Sequence, residues 1–162
     1  MTLRIGVASP AAGRAGTIQF PINVPRPATG KLQLGGIVIG LVSSAPTATA
    51  GFDLVQPLVP FQPVTTRTFI LADAVPIFAP VFWGAKDTTV DVTLTVTAGR
   101  ATTQSLTLTG LPAGGGRHHA VLDLVVPVKD LTPGPCGIEV RARVASGEQV
   151  RSVVPCTIER PK

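Results

Sequence analysis

The sequence has no tyrosine, one tryptophan and one methionine, and aromatic residues make up 4% of its 162 positions. It also has no run of lysine and arginine. Single-strand nucleic-acid binders stack bases on aromatic rings beside cations, and duplex binders present a basic face. Neither is here, so the net charge of +5 reads as a mildly basic solvated surface and not as a nucleic-acid footprint. Acid is missing from the first part of the chain. Arg4, Arg14, Arg26 and Lys31 precede the first carboxylate, Asp53, whereas the remaining ten of the 14 basic residues are nearly balanced by nine acids. Charge is sparse at 14%, against 44% hydrophobic residues, which excludes a disordered chain.

Long apolar runs are missing too. The longest, Ala74 to Ala85, has twelve residues and contains Pro76 and Pro80, whereas a bilayer needs about twenty. The first residues, MTLRIGVASP, lack the basic region and apolar core of a secretory signal, so the chain as written starts in the cytoplasm. Sustained 3.6-residue periodicity with caps is absent, and proline recurs through the first half, which disfavours long helices.

What is present is alternation with a period of two. Val90, Val92, Leu94 and Val96 alternate with Asp91, Thr93, Thr95 and Thr97. Ile138, Val140, Ala142 and Val144 alternate with Glu139, Arg141 and Arg143. Val150, Val154, Cys156 and Ile158 share a parity with Ser152. Ala120, Leu122, Leu124 and Val126 face one way, with His119, Val121, Asp123 and Val125 opposite. Each reads as a strand with one face in a core. Weaker strands are expected at 3–7, 17–23, 34–42, 67–71, 77–83 and 102–109. Among them lie 17 glycines and 16 prolines, clustered at 9–16, 25–31, 43–51, 111–116 and 131–135 as turns. Turns every eight to twelve residues predict an all-β fold, an immunoglobulin-like antiparallel β-sandwich over 34–162. Residues 1–25 form an extra N-terminal β-hairpin, the end of a preceding domain, with 26–33 as linker.

The last hairpin narrows the register. Both apolar faces point inward only for certain pairings, because a one-residue slip inverts a strand. A three-residue loop, Ala145-Ser146-Gly147, puts Gly147 where such loops favour a left-handed residue and sets Cys136 opposite Cys156. A five-residue loop separates the two cysteines by a diagonal step. Cys136 and Cys156 could therefore form a cross-strand disulfide. Counting from the loop makes them a hydrogen-bonded pair, whose side chains stand farther apart, so two buried thiols acting as small hydrophobes stay open.

Other chemistry is poorly served. His118 and His119, the only histidines, point to opposite faces of a strand and do not share a metal easily. The cysteines lack zinc-ligand spacing. The triple glycine 114–116 precedes an alternating strand, not the helix N-terminus of a phosphate loop. A GxSxG elbow is absent, and the acids form no general acid–base pair that spacing can place. Trp83, with Phe78 and Phe82, reads as core packing, not as a sugar platform. These residues point to a non-enzymatic module without cofactor or metal.

Four segments carry a family resemblance. LRIGVASPAAGRAGTIQFPINVP (3–25) resembles the closing hairpin after the von Willebrand factor type A domain in acidobacterial VWFA-related proteins. LQLGGIVIG (32–40) resembles the first strand of their C-terminal immunoglobulin-like sandwich. Pro63, Arg67, Phe69 and Asp73 match a Pro-x-x-x-Arg-x-Phe segment with a following Asp, and 124–160 resembles the final hairpin opened by a Leu-x-Pro-Gly turn. The type A cation signature, Asp-x-Ser-x-Ser, is absent, so no metal site carries over. The two cysteines stand where the family has bulky apolar residues. The resemblance implies the tail of a larger exported protein, periplasmic or secreted, with Met1 an internal or misassigned start. It implies an accessory role in protein–protein contact or domain presentation, by strand addition at an exposed edge. The alternative is a glycan-binding module using end loops such as 43–51 or 111–116.

Overall fold

The computed structural model describes residues 2–23, 30–42, 59–84, 87, 89–99, 101–112 and 119–161. Among these there is no α-helix. The alternating segments are strands, and they stack as a β-sandwich with an N-terminal hairpin. In that hairpin, β1 (Thr2–Ser9) and β2 (Arg14–Pro21) pair antiparallel across a 3-10 turn, Pro10–Ala12, which Gly13 closes with a positive φ of 58°.

The larger sheet has five strands in the order β5 (Thr68–Ile70), β11 (Gln149–Glu159), β10 (Gly134–Val144), β7 (Thr89–Ala98) and β8 (Ala101–Pro112). All its pairings are antiparallel except β5 with β11, which is parallel, where the sequence predicts a wholly antiparallel sandwich. The smaller sheet is built on β6 (Ala74–Phe82). One side of β6 pairs β9 (His119–Pro127), and the other pairs two short pieces, β3 (Gln33–Leu34) and β4 (Val38–Ile39).

The break between β3 and β4 corrects the single strand expected over 34–42, and its cause lies in β6. Gly35 and Gly40 donate their N–H groups to the carbonyls of Pro80 and Pro76 at 2.7 and 2.9 Å. Neither proline has an N–H to return. Each is half a pair, and the register slips by one residue between Leu34↔Val81 and Val38↔Phe78. That slip lets Leu34 on one side and Ile37, Ile39 and Leu41 on the other all reach the core despite opposite parity. Gly40 is required here, because a Cβ would lie 2.5 Å from the Phe61 ring and 2.9 Å from that of Pro76.

Core residues come from the predicted faces. Val90, Val92, Ile138, Val140, Ala142, Ile158 and Leu122 are buried between the sheets, with Phe69 and Ile77. Each fully buried aliphatic side chain contributes about 1.5–3 kcal/mol. The core begins at Leu32, whose N–H is held by the Glu148 carboxylate at 3.2 Å. Trp83 is buried, as expected of a core aromatic, and donates its indole N–H to the Asp87 carbonyl at 2.8 Å. The Asp87 carboxylate accepts from the backbone and hydroxyl of Ser146, both at 2.9 Å, tying the β6–β7 connection to the β10–β11 loop. No helix among the described residues is long and apolar enough to cross a membrane.

Candidate functional site

The two sheets differ in width, and among the described residues this leaves one flank of the sandwich open. The smaller sheet has β9 as its outer strand, lying over β7 and β8 of the larger one. Between them runs an apolar cleft of about 210 Å3 lined by Leu94, Val96, Leu106, Leu124, Val125, Val126 and Pro127. Leu106 is 45% exposed although it lies on the core-facing side of β8.

The β9 edge has its own hydrogen-bonding capacity. Gly35, Gly40 and Val42 donate to the carbonyls of Pro80, Pro76 and Ala74, so the even-numbered residues of β6 turn their backbone groups toward β3 and β4. The odd-numbered ones turn toward β9, where they meet Ala120, Leu122, Leu124 and Val126. The N–H and C=O groups of Val121, Asp123 and Val125 therefore point to the outer edge, which no described strand pairs.

Edges are normally blunted by charge, proline, brevity or bulges. β5 is short, β3 and β4 are broken, and β8 carries two register irregularities. β9 pairs β6 over nine residues without a slip, and between its terminal His119 and Pro127 only Asp123 interrupts an apolar sequence. It is the least protected edge among the described strands. Its outer face is also apolar, with Val121 and Val125 standing opposite Pro80 and Pro76, and Val125 57% exposed.

A second apolar surface lies on the hairpin. Every residue of β1 and β2 is exposed. The register sets Leu3 opposite Phe20 and Ile5 opposite Ile18, so these four and Val7 share one face. Arg4, Thr17 and Gln19 occupy the other.

The residues singled out from the sequence fall as follows. Cys136 lies directly opposite Cys156, with Cα atoms 4.8 Å apart, and the two sulfurs are bonded. The loop between their strands is the three-residue one, with Gly147 at φ 91°. His119 begins β9 and stacks on Phe82 at 6.3 Å between ring centroids, while His118 lies outside the described residues. The triple glycine 114–116 and the end loop 43–51 lie outside them as well, as do residues 26–29 of the linker 26–33 and residues 113–116 of the end loop 111–116, whose first two residues instead close β8. Phe69 is core, Arg67 donates to the Val64 and Thr66 carbonyls, and Asp73 accepts from the Ile70 N–H, so these residues shape the approach to β6. Glu139 is paired with Arg141 at 2.7 Å. Among the described residues no group of three or more His, Cys, Asp or Glu could hold a metal ion.

The open flank is what sequence reading missed. Its signal is present in β9, where Val121 and Val125 break the polar face expected of a one-sided strand. On the outer face of the larger sheet, a shallow polar hollow of about 500 Å3 is lined by Thr93, Thr95, Thr97, Glu139, Arg141 and Val153 over Gly137. No family model matches this chain, and no curated protein is significantly similar to it.

Proposed function

We propose that this chain is a non-catalytic interaction module with an immunoglobulin-like sandwich, an accessory part of a larger exported protein of the VWFA-related kind. It engages a protein partner by strand addition at the β9 edge. One observation carries the reading: a regular nine-residue strand turns outward, beside an apolar cleft, backbone groups that no described strand pairs. Main-chain hydrogen bonds there supply affinity, and side chains entering the cleft supply selectivity. The Cys136–Cys156 bond supports export, since structural disulfides persist in oxidising compartments.

The test is Val125→Pro. It removes an N–H that points to the outer edge and leaves the ladder to β6 intact. The expected result is an unchanged fold by circular dichroism with binding of the partner lost. Partner binding that survives this change would remove β9 as the site.

The polar hollow favours a second reading, a glycan ligand on the threonine-lined face. It expects oligosaccharide-induced chemical shifts confined to residues such as Thr95 and Arg141, and a flat titration would end it.

A further inference from the structure

We propose that the partner at this edge is a second copy of the chain: the β1–β2 hairpin of one copy adds to β9 of another and closes its open flank. The inference rests on the reading of β9 as the interaction edge and names the occupant. A two-stranded hairpin is marginally stable alone, yet this one presents Leu3, Ile5, Val7, Ile18 and Phe20 on a single exposed face. Added beside β9, two strands widen the narrower sheet and set that face over the cleft and Leu106. What one part of the chain leaves uncovered is what the other leaves unfilled. The hairpin is fully exposed and does not cover its own sandwich, so the donor is another copy.

Charge agrees with this pairing. The hairpin carries Arg4 and Arg14 and no acid, and Asp123 is the only carboxylate in β8 and β9. Arg4 stands on the hairpin face opposite Leu3 and Ile5, and Asp123 on the β9 face opposite Leu122 and Leu124. With β1 beside β9 and both apolar faces inward, Arg4 and Asp123 emerge on the same solvent side, where opposite charges on adjacent strands attract. Donor and acceptor are different surfaces, so the contact closes as a reciprocal dimer or grows head to tail.

The experiment is sedimentation velocity on the full chain across a concentration series, with charge-swapped variants at exposed positions. Wild type is expected to associate with concentration. Arg4→Asp and Asp123→Arg should each weaken association about tenfold by placing like charges together. An equimolar mixture of the two variants should recover it. The reversed hairpin of the first variant then meets the reversed edge of the second, and the native Arg4 of the second meets the native Asp123 of the first. Ile5→Asp should abolish association while the sandwich keeps its circular dichroism. A wild type that stays monomeric, a mixture that fails to recover, or an Ile5→Asp chain that associates normally each overturns the proposal. If a different protein is still captured by wild type and lost by Val125→Pro, the edge stands as an interaction site and only the second copy is excluded.

Discussion

Joining Cys136 to Cys156 links positions 20 residues apart on the paired strands β10 and β11. Closing a loop of that size restricts the unfolded chain by about 3 kcal/mol. Replacing both cysteines by alanine should lower unfolding free energy by about 2–4 kcal/mol, read by urea denaturation of the oxidised protein and the double variant. Dithiothreitol should weaken the wild type comparably and leave the variant unmoved. Equal sensitivity of the two would mean the sulfurs are not bonded in the native protein. Gly40 offers a second residue-scale check. Any Cβ there runs into Phe61 and Pro76, so Gly40→Ala should cost about 1–3 kcal/mol by the same measurement.

At the scale of elements, β6 decides what its neighbours can be. Its prolines deny return hydrogen bonds to Gly35 and Gly40, and the edge opposite them is split into β3 and β4 with its faces reversed across the break. The reversal can be measured. Ile39 is 1% exposed and faces the core, while its neighbour Val38 faces outward opposite Phe78. Ile39→Ala should cost about 2–4 kcal/mol and Val38→Ala less than about 1 kcal/mol. The opposite ranking would place the segment in the other register. The apolar parity of 32–42 changes between Leu34 and Ile37, so this break was already written in the sequence. It was not legible there because its cause, two prolines without N–H groups, sits on another strand about forty residues later in the chain. Strands β7, β9, β10 and β11 were legible because each carries its own alternation, and the Cys136↔Cys156 register was legible as one of two that keep both apolar faces inward, the loop length deciding between them. The parallel β5–β11 pair and the β8–β9 opening depend on which strands become neighbours, and local periodicity does not encode that.

On the scale of the whole molecule, two surfaces demand company. A cleft lined by aliphatic side chains and a hairpin with one apolar face are both placed in water by a chain with few charges to keep copies apart. Such surfaces recruit other strands unless they are covered. A proposed setting in a larger exported protein makes a concrete demand on the native form. An antibody against 34–162, used on fractionated cells of the source organism, should detect a band well above 16.7 kDa in an extracytoplasmic fraction. Alkylating reagents should leave Cys136 and Cys156 unlabelled until the sample is reduced. A cytosolic band at 16.7 kDa with freely labelled thiols would instead describe a reduced, stand-alone protein. The open β9 edge and the hairpin would then have only each other, or another cytosolic chain, to pair with. The charge-swap mixture separates those two cases, because only self-association is recovered when the Arg4→Asp and Asp123→Arg chains are combined.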